Sequence, residues 1–330
     1  MTTLLAQIAP QRSTQYADLA TALAPHELML SPLGCIIKSI DVIDLGGQTY
    51  CRCTLTDEPD QHQLRELGML ATTSAFFWYH EALGEYTGPF LQPIESGFVP
   101  YFPPDLVTTR RYKGKTNELF THFLCNLAKF SSDFAGTSWN TLRVFDPLSG
   151  GGTSLFAALI LGADVAGVEK STKDVQSTAS FIKQYAKAQK IACKVKEERL
   201  KNLGKRWLFS LGDVPRQCVL TSGDTAKSAQ LIAGFKKPHL IVTDLPYGIQ
   251  HRGHLVDLLT EALPVWASLL VSGGAMALAW ESTRFVREEM VALVESTGLL
   301  TVPNESPYNQ LAHRVDRVIK QRDIVIARPL

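Results

Sequence analysis

The stretch "RVFDPLSGGGTSLFAALILGADVAGVE", residues 143–169, contains two short apolar strands separated by a glycine-rich turn and a helix. The first strand ends at Asp146, the helix begins near Thr153, and the second strand ends at Glu169. Glycines let the backbone approach a ligand closely, and the amide groups at a helix start bind polar groups. A carboxylate at the end of the second strand is placed to accept hydrogen bonds from ribose hydroxyls. The stretch predicts a nucleotide-type site; the alternative is a plain strand–helix connection with a solvated Glu169.

The same alternation of strand and helix continues toward the C-terminus. Short runs rich in Val, Ile and Leu, such as "QCVLTSGD" (217–224), "HLIVTDLP" (239–246) and "AMALAW" (275–280), are separated by helical patterns. Strands of this kind are buried on both faces and form parallel sheets. We therefore expect an α/β protein with a Rossmann-like, mostly parallel sheet, helices on both faces, and a smaller N-terminal α+β domain.

The first hundred residues have a mixed pattern. Residues 35–56 predict two strands around a Gly-Gly turn, with Cys51 and Cys53 on one face of a strand in a packing role. Residues 63–83 have helical apolar spacing. The aromatic run "FFWYHE" (76–81) lies in that pattern, so we interpret it as helical core rather than as a stacking surface.

The domain boundary is expected in a proline-rich stretch. Residues 91–109 contain four prolines and little periodicity, which predicts an extended connector. We expect an N-terminal α+β accessory domain over residues 1–105, with substrate recognition as its candidate role. Residues 106–330 then form the α/β domain.

Composition limits the classes of partner. The net charge is +1, with 45% hydrophobic and 20% charged residues, so any contact with a polyanion must be local. The N-terminal residues show no basic segment followed by an apolar core, and no apolar run approaches the length of a membrane span. The six cysteines and the histidines have no metal-ligand spacing. We expect a cytoplasmic protein with reduced thiols, no membrane contact and no metal; its oligomeric state stays open.

Two more strands end in carboxylates. "VLTSGD" (219–224) ends at Asp224, and "IVTDLPYG" (241–248) carries Asp244 just before a Leu-Pro break. Because the carboxyl ends of parallel strands share one edge of a sheet, these acids are expected to meet Asp146 and Glu169 in one crevice. For Asp224 the alternative is a cap on the next helix, and for Asp244 it is a strand that simply breaks at the proline.

In this order, D-P-L-S-G-G-G-T, V-A-G-V-E, S-G-D and D-L-P-Y-G resemble the class I S-adenosylmethionine-dependent methyltransferases. The last motif resembles the D/N-P-P-Y of the amino-methyltransferase branch. With Leu in place of the first Pro, it is most similar to the THUMP-associated RNA guanine-N2 methyltransferases. The resemblance covers roughly residues 110–330, and no THUMP module is recognised before it.

The resemblance implies S-adenosylmethionine as the cofactor. It assigns three parts of the crevice to three parts of that molecule, with the helix preceding the first strand as a further contact. The implied cofactor contacts are Asp146, Ser149, Gly150 and Gly152 for the methionine part, Glu169 for the ribose, Asp224 for the adenine, and Thr116, Thr153 and Asp244 as additional contacts. The D-P-L-S that precedes the glycines also favours this cofactor over NAD, whose fingerprint begins directly after the strand.

The D-L-P-Y-G motif is expected to hold the target amine. An exocyclic base amine is a poor nucleophile because its lone pair is delocalised into the ring. The carboxylate of Asp244 and the carbonyl of Leu245, fixed by Pro246, are two acceptors that favour a tetrahedral nitrogen as positive charge develops. Tyr247 is expected to stack on the base, and Gly248 to leave room for it.

The substrate is expected to be a nucleic acid with an unpaired or flipped base, RNA more than DNA. Arg110, Arg111 and Lys113 in "RRYKGK" (110–115) are the candidate phosphate contacts, and a solvated surface is the alternative. A second Lys/Arg-rich stretch, 183–206, is interpreted as a solvated face because Glu197 and Glu198 dilute it. N2 of guanine in tRNA or rRNA is the leading target; the alternatives are a DNA adenine-N6 or cytosine-N4 methyltransferase and a non-catalytic binding module.

Overall fold

The computed structural model describes residues 2–10, 17–112, 114–246, 252–315 and 321–330. The chain divides into two compact units, one of Met1–Val99 with Glu305–Arg322 and one of Pro100–Asn304 with Asp323–Leu330. The sequence analysis did not predict that residues 305–322 belong to the first unit, because no pattern within that segment indicates which part of the chain it packs against.

The first unit contains a five-stranded antiparallel sheet with strand order β2-β3-β1-β4-β5. The elements are β1 (Thr2–Ile8), α1 (Ala17–Leu30), β2 (Ile37–Leu45), β3 (Gln48–Leu55), α2 (Gln61–Leu67), β4 (Thr73–Leu83) and β5 (Tyr86–Ile94). The two strands predicted around the Gly-Gly turn are confirmed as β2 and β3. Cys51 and Cys53 are fully buried in β3, and burial raises the pKa of both thiols.

The prediction of a helix over residues 63–83 is wrong beyond the end of α2 at Leu67. The aromatic run 76–81 lies in β4, which pairs with β1 on one side and β5 on the other. The run begins with four consecutive aromatic residues, 76–79, so it satisfies a period of two as well as a period of 3.6, and sheet pairing decides between them. The predicted connector also begins later than expected, because Leu91–Ile94 still pair with β4.

The second unit is built around a large sheet. Its helices are α3 (Asp105–Thr109), α4 (Glu118–Phe130), α5 (Thr153–Leu161), α6 (Thr172–Ala188), α7 (Ser228–Leu231), α8 (Arg252–Leu269) and α9 (Arg287–Glu295). Its strands are β6 (Arg143–Asp146), β7 (Asp164–Glu169), β8 (Cys193–Leu200), β9 (Gly204–Leu211), β10 (Arg216–Ser222), β11 (Leu240–Asp244), β12 (Ala275–Glu281) and β13 (Leu300–Thr301). The short β14 (His313–Arg314) belongs to the first unit, and β15 (Gln321–Pro329) enters the second from Asp323 on.

The strand order of this sheet is β13-β15-β12-β11-β6-β7-β10-β9-β8. From β12 to β10 the neighbouring strands are parallel, and the β8–β9 hairpin continues the sheet antiparallel beyond β10. This is the Rossmann-like architecture predicted from the alternating pattern. The helix expected before the first strand is confirmed as α4, which is capped by Asn117.

The order of the central strands creates a crevice. After β6 the chain moves outward through β7 to β10, then returns to the other side of β6 for β11 and β12. Right-handed crossovers place the helices of the two halves on opposite faces, so their loops separate at the carboxyl ends of β6 and β11. Ligands of doubly wound sheets bind at this switch point.

Within the described ranges, no helix is long and apolar enough to cross a membrane. The same ranges contain no group of three or more His, Cys, Asp or Glu side chains arranged to hold a metal ion. The crevice at the switch point is the candidate ligand site.

Candidate active site

A cavity of about 780 Å³ lies at the carboxyl ends of the parallel strands in the second unit. This volume is in the range of sites for small molecules and cofactors. Most of the predicted site residues that the structure describes line it: Thr116, Asp146, Ser149, Gly150, Thr153, Glu169, Asp224, Asp244, Leu245 and Pro246. The structure therefore brings together five segments of the chain, which span 130 positions in the sequence from Thr116 to Pro246.

The glycine-rich turn needs its glycines for two different reasons. Gly150 and Gly152 have φ of +47° and +88°, in the left-handed region where a side chain is strained. Gly151 has ordinary backbone geometry, but a Cβ there would lie 2.1 Å from the ring of Tyr112. Gly152, which does not line the cavity, is the N-cap of α5. The backbone of this turn faces the cavity without side chains.

Asp146 holds both ends of the glycine-rich turn through its buried carboxylate. Its side chain is only 4% exposed; one carboxylate oxygen accepts from the backbone N–H of Leu148 at 3.0 Å and the other from the hydroxyl of Ser154. Burial raises the pKa of Asp146 from 3.8 to about 6, with a smaller contribution from nearby Asp244. Since both oxygens bond to the protein, the carboxylate positions the turn; a direct ligand contact for it stays a prediction.

Ser149 joins the turn to the neighbouring strand. Its backbone N–H donates to the carbonyl of Val168 at 2.9 Å, and its hydroxyl donates to the same oxygen at 3.3 Å. The end of β7 thus fixes the height of the turn above the sheet.

Glu169 and Asp224 lie at neighbouring strand ends. One carboxylate oxygen of Glu169 accepts from the N–H of Ser171 at 2.7 Å, while its carbonyl accepts from the N–H of Gly223 at 3.0 Å. Strand β10 ends at Ser222, two residues earlier than predicted. The side chain of Asp224 accepts from the N–H of Ala226 at 3.0 Å, so it caps the following 3₁₀ turn as the alternative interpretation held. Asp224 also lines the cavity. Its capping bond uses one carboxylate oxygen, so the side chain can still contact a ligand.

Asp244 is tied to the chain that precedes α4. The hydroxyl of Thr116 donates to the carboxylate of Asp244 at 2.9 Å. The N–H of Leu245 donates to the carbonyl of Ala279 at 2.8 Å, and its side chain is buried. Pro246 is exposed at the cavity wall. Tyr247 and Gly248 lie outside the described residues, so their stacking and spacing roles stay predictions.

The expected phosphate role of Arg110 does not fit its position. Arg110 is only 8% exposed, and its guanidinium donates to the carbonyl of Gly151 and the hydroxyl of Thr178. The guanidinium carbon lies 5.1 Å from the ring centroid of Tyr112, whose hydroxyl is 2.5 Å from that of Thr153. Arg110 and Tyr112 therefore brace the glycine-rich turn from outside.

The two other candidate phosphate contacts of that stretch, Arg111 and Lys113, stay predictions. Arg111 is exposed, as a phosphate contact must be. Lys113 lies outside the described residues. Sequence reasoning could not separate Arg110 from Arg111, because the partners that bury Arg110 are some forty to seventy positions away.

Several cavity residues were missed as site candidates, and two of them lie on one helix face. His254 and Asp257 are exposed on the first turns of α8 and line the cavity. Residues three apart on a helix share a face, and this helix follows directly after the D-L-P-Y-G motif, which is the signal that could have indicated them.

The chain matches no protein-family model and no curated protein sequence. Solved structures are similar to it at low identity. TrmN from Thermus thermophilus is 13% identical, with 100% of both chains covered and a TM-score of 0.47. The T. thermophilus 16S rRNA N2 G1207 methyltransferase RsmC, in complex with AdoMet and guanosine, is 13% identical over 95% of this chain and 62% of that one, with a TM-score of 0.38.

A third similar structure is a TehB-like SAM-dependent methyltransferase from Corynebacterium glutamicum. It is 12% identical over 57% of this chain and 80% of that chain, with a TM-score of 0.35. At these identities and TM-scores the likenesses carry no conclusion about activity. The functional assignment therefore rests on the geometry of the cavity.

The first prediction concerns the stability contributed by Asp146. Its pKa is about 6 in the folded protein and 3.8 in an unfolded chain, so between these values the folded state holds a proton that the unfolded state has released. The free energy of unfolding should therefore fall as the pH rises from about 4 to about 6, by an amount on the order of 2–3 kcal/mol. Urea denaturation of wild type and Asp146→Asn across pH 4–7 measures this step.

Asp146→Asn should lack that step, and Asp257→Asn, which removes an exposed carboxylate at the same cavity, should keep it. Parallel pH curves for wild type and Asp146→Asn would contradict the assignment of the titration to this carboxylate.

The second prediction concerns the contact of Tyr112 with the turn. Gly151→Ala should weaken the binding of S-adenosylhomocysteine, the product that the cofactor leaves, by roughly tenfold or more. The reason is that the added methyl group forces the Tyr112 ring out of place. In a Tyr112→Ala background the same substitution should cost little, since the ring is absent. Calorimetry with S-adenosylhomocysteine on the two single variants and the double variant measures the coupling. Additive effects would show that the ring does not set the position of the turn.

Proposed function

We propose that this chain is an S-adenosylmethionine-dependent methyltransferase that modifies an exocyclic amine of a base in RNA, with N2 of guanine as the leading target. One observation carries the proposal. Four acidic residues at or just after the ends of parallel strands, Asp146, Glu169, Asp224 and Asp244, surround a single cavity whose wall continues into Leu245 and Pro246.

The polar groups on one side of the cavity suit the three parts of the cofactor. The glycine-rich turn offers backbone amides at the start of α5, which suit the carboxylate of an amino acid. Glu169 accepts one backbone N–H at the strand end, and a carboxylate can accept further hydrogen bonds, as the two hydroxyls of a ribose require. Asp224 lies one strand further out, where an adenine attached to that ribose would extend.

On the other side, the residues suit a base amine. S-adenosylmethionine, when bound, supplies a methyl group activated by its sulfonium. Thr116 orients the carboxylate of Asp244, and the bond from Leu245 N–H to the neighbouring strand fixes the peptide that follows. The Asp244 carboxylate and the Leu245 carbonyl would accept the two N–H groups of the amine, which directs its lone pair away from the ring and stabilises the charge that develops.

The base must be unpaired, or must flip out of the nucleic-acid helix, to enter such a cavity, because its amine is otherwise engaged in base pairing. An unpaired guanine in RNA meets this requirement at the smallest energetic cost. The D-L-P-Y-G variant of the motif favours RNA over DNA as the substrate. Identifying the methylated nucleoside would decide between them.

The third prediction tests the cofactor. S-adenosylhomocysteine should bind with a clear calorimetric isotherm, and Glu169→Ala should weaken it by roughly 10- to 100-fold because two ribose hydroxyls lose a charged acceptor. Glu85→Ala, which removes an exposed carboxylate in the β4–β5 hairpin, is the matched control and should bind as wild type does. Saturable binding of NADH with no response to S-adenosylhomocysteine would overturn the cofactor.

The fourth prediction tests the amine site. Asp244→Asn keeps an acceptor oxygen but removes the charge, so the single-turnover rate should fall by roughly 10²–10³, as on losing one preorganised donor. Thr116→Val preserves the shape and removes the orienting hydroxyl, so a drop of about tenfold is expected. The substrate for the assay is identified first by mass spectrometry of nucleosides from cells with and without the gene, where loss of N2-methylguanosine from RNA is expected.

Because Thr116 and Asp244 are only additional cofactor contacts, both variants should lose far less affinity for S-adenosylhomocysteine than Glu169→Ala does, and this difference separates the amine site from the cofactor site. If Asp244→Asn reacts at the full rate, the amine is held elsewhere. Loss of N6-methyladenine or N4-methylcytosine from DNA instead would replace RNA by DNA as the substrate.

A further inference from the structure

The two units carry opposite charge. The first unit, residues 1–99 and 305–322, contains eight Lys and Arg against thirteen Asp and Glu. The second unit, residues 100–304 and 323–330, contains 25 Lys and Arg against 19 Asp and Glu. A polyanion is attracted to a local excess of cations and repelled by an acidic surface. The phosphates of a nucleic-acid substrate are therefore expected to contact the second unit, although the overall net charge is close to zero.

Within the second unit, the β8–β9 hairpin brings cations to the edge of the sheet that holds the cavity. Strand β9 is antiparallel to β10, so Lys205 at its start pairs with Ser222 at the carboxyl end of β10. Strand β8 is antiparallel to β9 and ends where β9 begins. The tip of the hairpin thus lies at the carboxyl edge, and it carries Arg199 and Lys201, both exposed.

Two more exposed lysines belong to the same edge. Lys170 follows Glu169 at the end of β7 and lines the cavity. Lys227 ends the 3₁₀ turn that Asp224 caps, next to β10. Together with Arg199 and Lys201 they form what we call the hairpin patch.

The acids that dilute this basic stretch in the sequence are engaged by other residues. Glu198 accepts from the guanidinium of Arg206 and forms an ion pair with Lys196 at 2.9 Å. Glu197 accepts from the indole N–H of Trp207 at 3.2 Å and lies 3.5 Å from the ammonium of Lys205. Both lie in β8 before the tip, so they do not cancel the charge of the hairpin patch. The solvated-face interpretation of residues 183–206 rested on that dilution.

We propose that the hairpin patch binds the sugar–phosphate backbone of the RNA whose base enters the cavity. The proposal rests on the proposed function, since it places the RNA chain beside the cavity on the side of Asp224 and Glu169. Lys and Arg heads that are exposed on a turn suit phosphate contacts, which position a nucleic acid without reading its sequence. The patch thus supplies affinity and the cavity supplies the selection of the base.

The experiment measures binding of a mixed-sequence, single-stranded RNA 20-mer by fluorescence anisotropy at several salt concentrations. In the triple variant Arg199→Gln, Lys201→Gln, Lys227→Gln, affinity at 0.1 M salt should fall about tenfold or more. The slope of log K against log salt should become shallower by about 2, because each lost contact with single-stranded nucleic acid removes about 0.7. Lys170 is left intact because it lines the cavity.

The matched control removes the same charge from the opposite edge of the sheet. Lys187 lies in the last turn of α6, Lys190 follows it, and Lys194 pairs with Ser210 near the far end of the hairpin; all three are exposed. Lys187→Gln, Lys190→Gln, Lys194→Gln should leave affinity and slope as in wild type, if the effect depends on position rather than on net charge.

The outcomes separate this proposal from the one it rests on. Both triple variants should bind S-adenosylhomocysteine as wild type does. An unchanged salt slope in the patch variant, or an equal change in the control, would overturn the hairpin patch while leaving the methyltransferase assignment in place. Failure of the wild type to bind S-adenosylhomocysteine would overturn the proposed function itself, and tighter binding of a DNA of the same sequence would overturn RNA as the partner.

Discussion

Parallel pairing of β6 with β7 on one side and β11 on the other is the constraint on which the rest of the structure depends. Strand β6 has only four residues, yet its register places Asp146 beside Gly167, and Phe145 beside Ile241. Parallel strands require long crossovers, and crossovers that leave in opposite directions must separate at the carboxyl edge. The cavity is a consequence of that separation, and its acidic lining follows from strands that end in carboxylates.

The buried carboxylate of Asp146 shows how the turn is kept open for a ligand. Its two oxygens bond to the residues on either side of the glycines, so the turn is held at both ends while its middle remains bare backbone. A carboxylate in this position is costly to ionise, because it is desolvated. The protein accepts that cost in stability where a preorganised turn is needed, as functional sites commonly do.

The strand ends could be predicted because their signal is local. Asp146, Glu169 and Asp244 each follow a short apolar run, and burial on both faces of a parallel sheet imposes that run directly. The role of Arg110 could not be predicted, since charge in a sequence does not reveal that a carbonyl and a hydroxyl far along the chain will bury it. The strand β4 was mistaken for a helix because an unbroken aromatic run fits both periods, and only pairing with β1 and β5 decides.

The route of the chain near its C-terminus has a consequence for biosynthesis. The chain leaves the second unit after Asn304, contributes residues 305–322 to the first unit, and returns at Asp323 to supply β15 between β12 and β13. Strand β15 follows β12 and β13 in the sequence, so both of them are synthesised before the strand that lies between them. Until β15 has been synthesised, β12 exposes an unpaired edge, which is the kind of surface that promotes aggregation. A translation arrest between β13 and β15 would therefore leave that edge open, although the other strands of the sheet have already been made.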